Sequence, residues 1–131
     1  MQGRKVLVTG GAGFIGSHIV DKLIETGSEV IVYDNLSTGF AEHLIHHGEK
    51  VEFIEGDILE SARLTKALEG VDLVFHFAAN ADVRGGVKNS LIDMRENVAG
   101  THSLLEAMRH QKVERIVFAS SATVYGEPEV F

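Results

Sequence analysis

The segment Thr9-Gly10-Gly11-Ala12-Gly13-Phe14-Ile15-Gly16 sets glycines at 10, 13 and 16, between an apolar run and an amphipathic segment. That spacing suits a turn that holds a pyrophosphate. One glycine permits the tight turn, the next lets the phosphates approach the main chain, and the third lets helix and strand pack closely. A helix that starts there offers free N–H groups and the positive end of its dipole to an anion. A glycine triplet alone is a weak signal. Between a strand and a helix it is a dinucleotide-binding fingerprint. No Gly-Lys-Ser/Thr follows, so a P-loop is excluded. Asp34 ends the second apolar run, 18 residues beyond Gly16. The carboxylate that grips an adenosine ribose is expected at a spacing of ~20 residues. Such a group accepts hydrogen bonds from both hydroxyls and repels a 2′-phosphate. No Lys or Arg lies between Gly27 and His43 to offset it, so NAD is favoured over NADP. An aspartate at a strand end also serves as a turn or N-cap residue.

Other groups point to less. His43, His46 and His47 precede Gly48. Histidines four apart can share a metal, but no third ligand is evident nearby in sequence, and a solvated helix face is expected. His18 and His102 fall on predicted helices, and His110 closes one, where a partial positive charge suits the dipole. His76 lies in a predicted buried strand and reads as a satisfied core or loop-anchoring group. Glu55, Asp57 and Glu60 are near in sequence without the logic of a glycosidase pair. The chain has no cysteine. That removes disulfides, thiolate metal sites and a thiol nucleophile, and it fits a reducing, cytoplasmic setting.

The elements that must position these groups follow from the apolar periodicity. Short runs at Val6 to Val8, Val30 to Tyr33, Val51 to Ile54, Leu73 to Phe77 and Ile116 to Ala119 are nearly continuous. Continuous runs predict strands covered on both faces, as in a parallel sheet. Between them, Ile15, Ile19 and Leu23, widened by Val20 and Ile24, predict a helix that stops at Thr26-Gly27. A second helix is expected from about Leu59 to Glu69. A longer one is expected from about Ser90 to His110, with Leu91, Met94, Val98, Leu105 and Met108 on one face. Strand–helix repetition predicts an α/β, Rossmann-like, doubly wound parallel sheet in the order 3-2-1-4-5. At 131 residues the chain suits one domain, residues 1–131. A net charge of −7 argues against a nucleic-acid binder, and no apolar run reaches the ~20 residues that cross a bilayer. No signal-peptide pattern opens the sequence.

The motifs taken together resemble the extended short-chain dehydrogenase/reductase family, and within it the NAD-dependent sugar-nucleotide epimerases and dehydratases of the UDP-glucose 4-epimerase group. The resemblance covers essentially the whole chain. It rests on Thr9 to His18, Tyr33 to Gly39, Gly56-Asp57-Ile58, His76-Phe77-Ala78-Ala79, Asn97-Val98-Ala99-Gly100-Thr101 and Ser120 to Gly126. It implies that Gly10, Gly13 and Gly16 shape the phosphate turn and that Phe14 and Ile15 offer backbone groups to the pyrophosphate. Asp34 and Asn35, with the turn Leu36-Ser37-Thr38-Gly39, would hold the adenosine ribose. Asp57 and Ile58 would border the adenine. Phe77, Ala78 and Ala79 would line the middle of the cofactor, and Asn97 would support their loop. Ser121 matches the family's catalytic hydroxyl, with Ser120 beside it. Thr123, and Arg84 in the segment Asn80-Ala81-Asp82-Val83-Arg84, are implied substrate contacts. Many epimerases carry lysine where this chain has Ala81. Taken alone, Asp57 and the Ser120-Ser121 pair also suit local capping.

The family's chemistry further needs a Tyr-x-x-x-Lys pair. The tyrosine takes a proton from the sugar hydroxyl as hydride passes to the nicotinamide, and the lysine lowers the tyrosine pKa. Epimerases let the 4-keto sugar turn over and return the hydride to its other face. Neither tyrosine of this chain has the partner: Ser37 stands four residues after Tyr33, and Glu129 four after Tyr125. In the family the pair and the substrate region would follow Phe131. The chain therefore reads as the cofactor-binding part of such an enzyme, binding NAD but inactive alone, with UDP-sugar a partner of the longer form. The alternatives are a non-catalytic NAD-binding module, half of a split enzyme, or part of a related dehydratase, decarboxylase or reductase. An open fifth-strand edge and an uncovered long helix would favour self-association into a homo-oligomer.

Overall fold

A computed structural model of the chain describes residues 2–80 and 82–126, apart from the side chains of Val83, Ala122 and Thr123. Five strands, β1 (Lys5–Thr9), β2 (Glu29–Asp34), β3 (Val51–Glu55), β4 (Leu73–His76) and β5 (Ile116–Phe118), form one sheet. All pairs are parallel, and the order is β3-β2-β1-β4-β5, as the sequence predicts.

Side chains on β1 and β2 alternate between two apolar layers. Val6, Val8, Val30 and Val32 pack with Ala12, Val20, Leu23 and Leu44 on one side. Leu7, Ile31, Tyr33 and Val74 pack on the other with Leu64, Leu68, Leu104 and Met108. Coverage of both faces explains why the central runs show no polar alternation. The outer strands depart from that expectation. Phe53 on β3 is 37% exposed, and Val117 and Phe118 on β5 are 43% and 57% exposed. Each lies at a sheet edge, where the covering helices do not reach.

Helix α1 (Phe14–Glu25) buries Val20 and Leu23. Ile15, predicted to share that stripe, is exposed, because the first turn projects beyond the strand ends. The helix closes on Gly27 at φ 77°. The Gly27 amide donates to the Ile24 carbonyl at 2.9 Å and the Ser28 amide to the Leu23 carbonyl at 3.0 Å, which satisfies two terminal carbonyls. Helix α2 is shorter than expected, Ser61–Ala67. Where the sequence suggested a helix around His43 to His47 there are 3-10 turns over Ala41–Lys50, broken at Gly48, and two short elements, helix α3 (Val83–Lys88) and a 3-10 turn over Ala122–Tyr125, have no counterpart in the sequence reading.

The predicted long helix is α4 (Ser90–Asp93), a π-helical stretch Met94–Ala99, and α5 (Gly100–Gln111). Leu104, Ala107 and Met108 are buried, whereas Leu91, Met94, Val98 and Leu105 are exposed. No helix among the described residues is long and apolar enough to cross a membrane.

Candidate functional site

In an open parallel sheet, ligands bind beyond the carboxyl ends of the strands where the winding direction reverses. Here that point lies between β1 and β4. A cleft of about 450 Å³ opens there, walled by the glycine turn, the end of β2, Phe77 to Ala79, and Ala119 after β5.

The glycine turn is built by close backbone contacts. The Gly10 amide donates to the Tyr33 carbonyl at 3.0 Å, and the Gly13 amide to the Gly10 carbonyl at 3.1 Å. Gly10 has φ 69°, and a Cβ on it would meet the Ala78 nitrogen at 2.6 Å. A Cβ on Gly16 would collide with the Gly10 carbonyl oxygen. Gly13 is the N-cap of α1, where no side chain caps the helix and no acidic residue occupies the first turn. The first-turn amides therefore have neither helical nor side-chain partners there. Phe14, Ile15 and Gly16, which carry them, line the cleft.

Asp34 is only 8% exposed. Its Oδ2 accepts the Ala12 amide at 2.9 Å and its Oδ1 the Leu36 amide at 2.8 Å. The carboxylate thus joins the glycine turn to β2, and Asp34 lines the cleft with each oxygen retaining further acceptor capacity. Asn35 Oδ1 accepts the Ser37 amide at 3.1 Å, and the Phe40 amide donates to the Ala12 carbonyl at 3.0 Å. These bonds fold residues 35–39 against the glycine turn. Asn35, Ser37, Thr38 and Gly39 line the cleft, while Leu36, at φ 56°, packs against the core.

Ile58 also forms part of the wall. The Asp57 carboxylate does not. Its Oδ1 accepts the Leu59 amide at 2.9 Å, and its Oδ2 lies 3.7 Å from Arg95 Nη2.

The loop after β4 is held from below by His76. The Ala78 amide donates to Thr9 Oγ1 at 3.3 Å, Thr9 Oγ1 lies 2.7 Å from His76 Nδ1, and His76 Nε2 lies 2.9 Å from Thr101 Oγ1. Burial pushes the His76 pKa down to about 4. From the side, Asn97 Oδ1 accepts the Asn80 amide at 2.8 Å, and Asp93 Oδ1 accepts both the Asn80 and Asn97 side-chain amides.

Ser120 and Ser121 are exposed just beyond β5 and are not cleft walls, although their neighbour Ala119 is. The Ser121 carbonyl accepts the Val124 amide at 3.2 Å. The Thr123 side chain lies outside the described residues, as does Ala81. Arg84 is exposed on α3, apart from the cleft walls.

Four further wall residues, Tyr33, Gly56, Glu96 and Ala119, escaped sequence reasoning. Gly56 carried a usable signal, since it follows β3 directly. A Cβ there would meet the Tyr33 hydroxyl at 2.5 Å. That hydroxyl donates to the Asp57 carbonyl at 3.1 Å, and burial raises the Tyr33 pKa to about 12.

Of the histidine cluster, His43 and His46 are exposed as expected, whereas the His47 side chain is nearly covered. His43 Nδ1 lies 2.8 Å from the Ala12 carbonyl. His46 Nε2 and His47 Nε2 both reach Asp21 Oδ1 on α1, at 3.1 and 2.8 Å.

The NAD dependent epimerase/dehydratase family matches residues 6–130. The chain belongs to that family. It is 46% identical over 125 residues to a UDP-glucose 4-epimerase of Halalkalibacterium halodurans, covering 94% of this chain and 36% of that protein. Among solved structures, the UDP-glucose 4-epimerase of Stenotrophomonas maltophila, with bound NAD and formylated UDP-arabinopyranose, superposes with a TM-score of 0.92. It is 36% identical, over 97% of this chain and 40% of that one. The UDP-glucose 4-epimerase of Brucella ovis in complex with NAD gives 0.89 at 43% identity, over 97% and 38%. The chain thus spans about two fifths of the length of these relatives. NAD, expected from Asp34 and the glycine turn, is the cofactor that the family's description names and that both structures hold.

Proposed function

We propose that residues 1–131 form one NAD-binding domain, the cofactor-holding part of a sugar-nucleotide 4-epimerase acting in the cytoplasm on a UDP-sugar. One observation carries the reading: the uncapped first turn of α1 and the Asp34 carboxylate border the same cleft, joined through the Ala12 amide.

The amides of Phe14 and Ile15 bind the pyrophosphate, and Gly10, Gly13 and Gly16 let it approach. Asp34 accepts the ribose hydroxyls, with Asn35, Ser37, Thr38 and Gly39 closing over them. Ile58 and the backbone of Asp57 flank the adenine. Phe77, Ala78 and Ala79 seat the middle of the dinucleotide, on a loop that Asn97 and His76 hold still. Ser120 and Ser121, with Thr123 and Arg84, stand on the side where a sugar nucleotide approaches. Bound NAD supplies reversible hydride acceptance at the sugar. The chain carries no Tyr-x-x-x-Lys pair to move the accompanying proton, so by itself it binds cofactor without turnover.

Calorimetric titration with NAD and NADP tests the binding, and incubation with NAD and UDP-glucose tests the chemistry. Saturable NAD binding, weaker NADP binding and no UDP-galactose are expected. No NAD binding, or epimerisation by this chain alone, overturns the reading.

A further inference from the structure

Away from the cleft, two histidines adjacent in sequence converge on one carboxylate. His46 and His47 lie on the 3-10 turns and Asp21 on α1. With about three residues per turn, consecutive 3-10 side chains point to different sides. Here the two rings lie with centroids 3.9 Å apart, and both Nε2 atoms reach Asp21 Oδ1.

We propose that Asp21, His46 and His47 form a binding site for a divalent transition ion, with zinc as its natural occupant. The three donor atoms lie within 4.8 Å of one another. Zinc bonds of about 2.0–2.2 Å in tetrahedral geometry hold donors roughly 3.3 Å apart. The two carboxylate–imidazole pairs, at 3.1 and 2.8 Å, need to open by a few tenths of an ångström, and the two Nε2 atoms, within 4.8 Å of each other, settle to the same spacing as the exposed His46 side chain adjusts. A carboxylate oxygen only accepts, so each Nε2 now carries a proton. An entering cation takes the place of those protons, and each neutral imidazole moves its proton to Nδ1. Two imidazoles with one carboxylate favour zinc, nickel or copper over magnesium or calcium. His47 is nearly covered, at 9% side-chain exposure, and His46 is open at 60%. The ion enters past His46 and keeps water as its fourth ligand. Bound there, it ties α1, which starts at the glycine turn, to the 3-10 turns that follow residues 35–39.

The untagged chain, titrated with zinc in competition with a chromophoric chelator, tests this. One zinc per chain is expected. Losing a direct ligand costs at least the roughly 10–100-fold affinity that losing an outer-shell partner costs, so His46→Ala and Asp21→Asn each lose that much. Cobalt in place of zinc gives visible tetrahedral absorption that the same variants abolish. His46 is exposed, so its variant keeps the wild-type circular dichroism, and His110→Ala leaves zinc affinity unchanged. Wild-type binding no tighter than that of His46→Ala, or an equal loss in His110→Ala, overturns the proposal. NAD titration of His46→Ala reads the cleft separately.

Discussion

The Asp34 carboxylate, lining the cleft where a ribose is expected, already accepts the Ala12 amide of the glycine turn at 2.9 Å. One group therefore anchors the turn and lines the cleft. The two roles reinforce each other, because the bond that fixes the turn also fixes the carboxylate's orientation.

Asp34→Ala is expected to weaken NAD binding by roughly tenfold or more, as hydrogen bonds to charged groups are worth about 1.5–3 kcal/mol each. It should also narrow the preference over NADP and lower the melting temperature. Asp34→Asn keeps an acceptor but no charge, so its NADP affinity should rise relative to NAD with a smaller loss of stability. Calorimetry with both nucleotides checks this. Unchanged affinities would remove Asp34 from the site.

Gly16→Ala sets a methyl group against the Gly10 carbonyl oxygen. That neighbour is backbone and cannot swing away. The cost is expected at or above the top of the roughly 1–3 kcal/mol range for overpacking, together with loss of NAD binding. Urea denaturation and nucleotide titration of the variant measure both. Wild-type stability would show that the turn is looser than its contacts imply.

His76 makes stability depend on pH. Burial lowers its folded-state pKa to about 4 from an ordinary 6.5. Above pH 6.5 it is neutral folded or unfolded and costs nothing. Between 6.5 and about 4 the unfolded chain takes up a proton that the folded one refuses, so stability falls by up to about 1.4 kcal/mol per pH unit. Below about 4 this loss levels off. His76→Gln should be less stable at neutral pH but flatter across that window in denaturant melts. An equal slope in both proteins would count against it.

Leu91, Met94, Val98 and Leu105 are 73%, 60%, 57% and 47% exposed along one helical run. Such a stripe, like the edge strand β5, should drive self-association. Sedimentation velocity is expected to show concentration-dependent oligomers, reduced by Met94→Lys with Val98→Lys. A monomer at every concentration would refute this.

The sequence alone determined the topology and the glycine turn that walls the cleft. Continuous apolar runs separated by amphipathic segments admit few arrangements beyond a parallel sheet with right-handed crossovers. The strand–glycine–helix motif also writes its own geometry locally, so Gly10, Gly13, Gly16 and Asp34 were legible. Tertiary structure decided what depends on groups distant in the chain. The partners of His76, at Thr9 and Thr101, lie 67 and 25 residues away in sequence. Asp21 meets His46 and His47 across 25 and 26 residues. No local spacing encodes either meeting. Nor does local pattern say that the predicted long helix passes through π turns at Met94–Ala99, or that Leu91, Met94 and Val98 on it are exposed. Short-range pattern fixes which elements form, whereas a side chain's burial and partners depend on how those elements pack.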